Sequence, residues 1–208
     1  MKGLKMNKKT IKEIWINLNW IRTIFILIGY FFITNKEVLR LDIEENMIRR
    51  DGANNNDSIL KKMNYLMACY PEFRNVFFYR MAKNNIILSK ILEKIYMPQR
   101  NLYITADKIG TGLVVYHGFS TIIYAKQIGK NCTIYQQVTI GKTNDIPTIG
   151  DNVTICPGAI VIGGICIGNN SIIGAGSVIT KDIPQNSVVV GNPAFIIRQN
   201  GEKVRIKL

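Results

Sequence analysis

The stretch PTIGDNVTICPGAIVIGGICIGNNSIIGAGSVITKDIP (147–184) places a branched aliphatic residue at every sixth position: Ile149, Ile155, Val161, Ile167, Ile173 and Ile179. A helix repeats roughly every 3.6 residues and a strand every ~2, so neither produces this spacing. A coil of three short strands joined by tight turns does. Each hexad supplies one strand and one corner, the branched residue points inward, and stacked coils bury a continuous aliphatic ladder. Upstream, Ile122, Ile128, Ile134 and Ile140 keep the same interval, and glycine often follows a ladder residue, as at Gly129, Gly141, Gly150, Gly168 and Gly174. The expected fold is α+β: a helical N-terminal domain (1–98), a left-handed parallel β-helix (99–188) and a short C-terminal tail (189–208).

The period breaks twice, and breaks are where function tends to sit. GKTNDIPT (141–148) carries three extra residues as a protruding loop, and YHGFST (116–121) carries one. The second break contains the only histidine of the chain, His117. A prism filled by its own side chains has no internal pocket, so a homotrimer with clefts between neighbours is expected. His117 would then face the loop of an adjacent subunit. An imidazole at such a corner is suited to take a proton from a hydroxyl at neutral pH.

The rest of the 208 residues limits the alternatives. Apolar residues make up 47%, which excludes wholesale disorder. The formal charge of +13 points to an anionic partner, but no nucleic-acid-binding motif accompanies it, so nucleic acid is not expected. Cys69, Cys132, Cys156 and Cys166 form no CxxC pair, which argues against a metal or redox site and for a reducing, cytoplasmic setting. In the helical half, Asn85–Tyr96 reads as a helix ended before Pro98. Ile59–Tyr70 carries Ile59, Met63, Leu66, Met67 and Tyr70 on one face, and starts at Asp57 or Ser58 after a polar break at 51–58. Pro71 opens the next helix. The first twelve residues hold five lysines, and the stretch Ile11–Ile33 reads as a buried helix or subunit contact, a membrane-surface helix, or a spanning one.

IGTGLVVYHGFSTII (109–123), IGKNCTIYQQVTIG (128–141), the stretch 147–184 and VVVGNPAFIIR (188–198, from Val188) resemble the hexapeptide-repeat acyltransferases. The branch they resemble is serine acetyltransferase-like, including enzymes of capsule and surface-polysaccharide O-acetylation. EFRNVFFYRM (72–81) extends the likeness weakly into the helices. The resemblance implies acetyl-CoA as co-substrate, no metal, and His117 as general base. It implies cofactor contacts from Gly174, Ala175, Gly176, Gly191, Lys181 and Arg198. A trimer, or a dimer of trimers, follows from the same likeness.

The acceptor side departs from true serine acetyltransferases. Tyr116 stands where they have an aspartate before the histidine, Leu102 where they have the histidine's carboxylate partner, and Asp145-Ile146 where they have Arg-His. Asp57 falls where the family has a substrate-binding aspartate. Loss of the loop cation removes a grip on an amino-acid carboxylate. Tyr116, Tyr124, Tyr135, Gln136 and Gln137 offer flat or neutral groups instead, with Tyr116, Asp57, Asp145 and Tyr135 as the substrate-binding candidates. The leading expectation is therefore O-acetylation of a carbohydrate in capsule or surface-polysaccharide synthesis, near the inner face of a membrane. The alternative is serine O-acetylation. A metal enzyme of the γ-carbonic anhydrase kind is disfavoured by the lone histidine, and a non-catalytic scaffold is the remaining rival. A backbone carbonyl or Tyr116 is expected to orient His117.

Overall fold

The computed structural model describes residues 7–51 and 56–208; Lys2 and Lys5 of the basic N-terminus and residues 52–55 of the polar break lie outside them. Five helices come first: α1 (Lys8–Phe32), α2 (Lys36–Asp51), α3 (Ile59–Cys69), α4 (Pro71–Ala82) and α5 (Ile86–Ile95). Their starts follow local chemistry. The side chains of Asn7, Ser58 and Asn85 accept the backbone N–H of Lys9, Lys61 and Leu88, and Pro71 opens α4, where a missing N–H leaves nothing unsatisfied. Of the two expected starts for α3, Ser58 is the cap.

The helices bury an apolar core around Leu39, Leu66, Phe73, Phe77 and Met81. One helix departs from that pattern. The buried residues of α1 are Asn19, Thr23, Ile26 and Gly29. Asn19 Nδ2 and Thr23 Oγ1 both donate to Asn64 Oδ1, at 2.9 and 2.6 Å, and Thr23 Oγ1 lies 3.2 Å from the Tyr96 hydroxyl. At Gly29 a Cβ would stand 2.6 Å from Met81 Sδ and 2.9 Å from Leu92 Cδ1, so any larger residue would have to displace the ends of those side chains.

From Leu102 the chain winds into a three-faced parallel β-helix of about five turns. The first face stacks Leu102–Ile104, Thr121–Ile123, Thr139–Gly141, Ile160–Ile162 and Val178–Ile179. The second stacks Lys108–Ile109, Gln127–Ile128, Thr148–Ile149 and Cys166–Ile167. The third stacks Val114–Val115, Thr133–Ile134, Thr154–Ile155, Ile172–Ile173 and Ser187–Val190. The ladder residues pair directly, Ile128 with Ile149, Ile134 with Ile155 and Ile155 with Ile173. Ile134, Ile140, Ile149, Ile155, Val161, Ile173 and Ile179 are all buried, each contributing about 1.5–3 kcal/mol of apolar burial.

Ile122 corrects the expected register. It is 44% exposed, and Ile123, at 0%, enters the ladder and pairs with Ile140. The extra residue of the preceding corner shifts the phase by one, and a one-residue slip turns every side chain of a short strand over. The insertions themselves are where the spacing puts them. Ile109 pairs with Ile128, Ile128 with Ile149 and Ile149 with Ile167, so successive coils hold one extra residue, three extra, and none.

Both ends of the prism are covered. At the start, α2 and α4 seal the first coil. Asp42, fully buried, accepts from Arg80 and from the backbone N–H of Gly112 and Leu113. Arg80 in turn donates to the carbonyls of Ile109 and Gly110. At the other end the expected tail is two strands, Phe195–Gln199 and Glu202–Lys207, which continue the third face antiparallel. Glu202–Lys207, rich in charged residues, forms the outer edge of the third face, a composition that discourages pairing with a stray strand. Between the second and third faces runs a ladder of asparagines. Asn152, Asn170, Asn186 and Asn200 link through their side-chain amides at 2.9–3.1 Å, each at positive φ, a conformation asparagine tolerates.

Candidate active site

The corner between the third and first faces gathers most of the expected site. Coil after coil, it presents Tyr116–Ser120, Tyr135–Gln137, Cys156–Gly158, Gly174–Gly176 and Gly191–Pro193. Backbone bonds fix their order: Gln137 N donates to Phe119 O at 3.0 Å, Gly158 N to Gln136 O at 3.1 Å and Gly176 N to Pro157 O at 3.0 Å. At the far end Val178 N donates to Gly191 O, and Gly191 N to Ser177 Oγ. His117 and Gly176 therefore stand three coil spacings apart on one edge, ~14 Å at the usual separation of strands.

The inserted residue makes His117 conspicuous. His117 and Gly118 lie at φ of 61° and 57°, the left-handed region, which a histidine adopts rarely. Gly118 is required on a second count. A Cβ there would meet Leu102 Cδ2 at 2.9 Å and Glu72 Cβ at 3.1 Å. The chain is thus pressed onto the helical domain at 118 while the imidazole at 117 projects into solvent. Neither expected orienting group binds it. His117 makes no hydrogen bond among the described residues, and its ring lies 6.4 Å from that of Tyr116, tilted by 48°.

Tyr116 is committed elsewhere. Its hydroxyl donates to Arg49 O at 2.6 Å and its ring stacks on Tyr135 at 5.0 Å and 17°. Burial pushes its phenol above the ordinary value, so it stays a donor at neutral pH. Behind the corner, Glu72 and Arg50 form a buried ion pair at 2.8 Å with side chains 7% and 4% exposed. Arg50 also donates to Val115 O and lies over the rings of Tyr70 and Tyr116. This pair was not among the expected site residues, although Glu72 opens the stretch EFRNVFFYRM that carried the weak likeness. Gln136 is the other addition: its Oε1 is buried on the same edge with no donor from the described residues.

Four expected residues stand apart from this edge. Asp145, in the inserted loop, accepts from Ile146 N and packs against Gly164, and Lys181 follows the strand Val178–Ile179; both belong to the corner between the first and second faces. Arg198 lies exposed in the first antiparallel strand of the C-terminal pair. Asp57 sits in the turn before α3, held by Lys61 Nζ at 2.7 Å. Gly174, Ala175, Gly176 and Gly191 come together on this edge, and around Gly176, at φ 65°, the space is open.

The family model for bacterial transferase hexapeptide repeats (six repeats) matches residues 146–181. Serine acetyltransferase from Bacillus licheniformis is 42% identical over 104 residues, covering 47% of this chain and 48% of that protein. The enzyme of the same name from Staphylococcus aureus is 46% identical over 103 residues, with the same shares. The chain thus spans about half the length of the curated relatives it matches. The crystal structure of serine acetyltransferase from Brucella abortus superposes with a TM-score of 0.62 at 28% identity, over 79% of this chain and 69% of that one. The Neisseria gonorrhoeae serine acetyltransferase structure in complex with serine shares the fold, with a TM-score of 0.62 at 24% identity over 84% and 73%. The solenoid carries hexapeptide repeats of the bacterial transferase kind and is serine acetyltransferase-like.

Proposed function

We propose that this chain is an acetyl-CoA-dependent O-acetyltransferase with His117 as its general base. The observation that carries the reading is the exposed imidazole held at the inserted corner, on the same edge as the open glycine turns at 174–176 and 191. The thioester arm would lie along that edge, against the backbone of Gly176 and Gly191. His117 takes the proton of an acceptor hydroxyl, and the oxygen attacks the thioester carbonyl. A backbone N–H steadies the oxyanion, the C–S bond breaks, and the imidazolium returns the proton to the departing thiolate. The products are an acetyl ester and free coenzyme A.

The edge also argues for a trimer. Asp145 and the inserted loop occupy one corner of the prism and His117 another, so one subunit alone cannot bring loop and base together. A neighbour's loop placed beside His117 closes the site. The helical domains are free to join two trimers.

The acceptor best supported is serine, because the relatives matched across the solenoid are named serine acetyltransferases. The carbohydrate acceptor expected from the sequence gains nothing from those comparisons. It is kept as a second reading for one reason: the stacked Tyr116–Tyr135 pair replaces an acidic group with a flat aromatic wall next to His117, and the nearby Arg50 is already neutralised by Glu72. Thiol release from acetyl-CoA, with L-serine in one arm and purified surface polysaccharide or sugar precursors in the other, separates the two. Turnover with serine, lost in His117→Ala, establishes the first reading. Turnover with carbohydrate alone, lost in the same variant, establishes the second. No thiol release in either arm rejects the enzyme.

A further inference from the structure

We infer that the outward face of α1, with α5 beside it, docks on an anionic phospholipid bilayer. The inference is independent of the acetyl-transfer reading and rests on how α1 is turned. A surface helix of a soluble domain hides its apolar stripe and shows its polar one. Here the inner stripe holds Asn19, Thr23, Ile26 and Gly29, of which one is a large apolar residue, while Ile21, Ile24, Phe25, Ile28, Phe31 and Phe32 are 44–74% exposed. From Ile14 to Phe32 the only charged residue is Arg22, and it is turned inward, donating to Ile95 O and lying 4.2 Å from the Tyr96 ring. Beside α1, the helix α5 adds exposed Ile86, Ile87 and Ile91, which line a shallow groove with Lys90 and Lys94.

Charge decides what covers this face. Lys8, Lys9 and Lys12 crowd the first turns of α1, all exposed, with Lys12 Nζ donating to the Tyr65 hydroxyl at 2.6 Å. The acids nearby are Glu13 and Glu93, and Glu93 is held by Lys90 at 2.9 Å. A second copy of the face would bring few acids to meet those lysines, whereas a bilayer with anionic headgroups offers both the charge and the apolar layer beneath it. Trp15 and Trp20, half exposed, suit the boundary between the two.

The helix lies flat on the bilayer and does not cross it. Among the described residues α1 is the one helix long and apolar enough to span. Its inner stripe, however, is bonded to Asn64 of α3 and Ile95 of α5. Crossing would drag that polar network, and lysines such as Lys61, into hydrocarbon, where each unsatisfied polar group is expensive.

Both tryptophans of the chain lie on α1, so the full-length protein carries its own probe. Mixed phosphatidylglycerol–phosphatidylcholine vesicles should shift their emission to the blue, and brominated acyl chains should quench it. Phosphatidylcholine alone should bind at least about tenfold more weakly, and so should the triple variant Lys8→Glu, Lys9→Glu, Lys12→Glu on the mixed vesicles. Ile21→Asp with Ile28→Asp should abolish co-sedimentation while leaving acetyl transfer to a soluble acceptor unchanged. Unshifted, unquenched emission of the wild type on anionic vesicles overturns the proposal. So does a double variant that splits a larger assembly into smaller ones without altering vesicle binding, since that assigns the face to a second copy.

Discussion

In the β-helix, Ile155 pairs with Ile173 inside the prism while the asparagines from Asn152 to Asn200 run along an outer edge; in α1, Asn19 and Thr23 face inward while Ile21 and Ile28 face out. The prism sorts residues by water: apolar groups gain by leaving it, and amides satisfied by one another can stay in it. The helix sorts by partner. Its inner stripe is chosen to match Asn64 and Tyr96, and its outer face is fit for something other than water. Packing alone explains the first region, and the bilayer contact proposed for α1 accounts for the second.

Variants can press on that contrast in order of their expected size. His117→Ala touches neither interior, yet acetyl transfer should fall by about 10²–10⁴-fold with an unchanged circular dichroism spectrum. A loss no greater than about tenfold would mean that the base lies elsewhere. Asp42→Ala breaks the joint between the two regions. It leaves Arg80 buried without its carboxylate and should lower unfolding free energy by about 3–5 kcal/mol in denaturant titration. Ile155→Ala empties part of the ladder and should cost about 2–5 kcal/mol, while Ile122→Ala, on the outer surface, should change stability by less than about 0.5 kcal/mol. Equal effects would restore the simple six-residue register. Asn64→Ala leaves Asn19 and Thr23 buried without their shared acceptor and should cost about 1–3 kcal/mol; a neutral result would mean that the polar stripe of α1 is incidental.

The smallest effect is chemical. Burial pushes the Cys132 thiol up to about 11 from an ordinary 9.0, so iodoacetamide near neutral pH should spare it and label the exposed Cys166. Because the unfolded chain ionises the Cys132 thiol first, stability should fall as the pH rises from about 9 towards 11.

Much of this was legible in the sequence because a period of six is a local code. Each hexad needs only its own branched residue and a turn to declare its place, and the histidine announced itself by falling where the period slipped. Ile122 was misread because the slip moves phase within the corner, and spacing shows the size of an insertion without showing where it is absorbed. The edge that joins His117 to Gly176, and the other edge that carries Lys181 and Asp145, became visible only when the coils were stacked. Arg50 and Glu72 were out of reach for a different reason. They meet the corner from two separate helices, and no spacing along the chain encodes that meeting. The same holds for α1, whose apolar run said that it avoids water but not which side was turned to the protein.

The unequal coils carry one more consequence. Ile128 still pairs with Ile149 across three additional residues, and Ile134 with Ile155 likewise, so the added length is stored wholly in one corner and the other two edges do not register it. The inserted loop and the histidine corner are thereby uncoupled in heredity. A lineage is free to lengthen, trim or recharge the loop at Asp145 while the corner that carries His117, one face of the prism away, keeps its place.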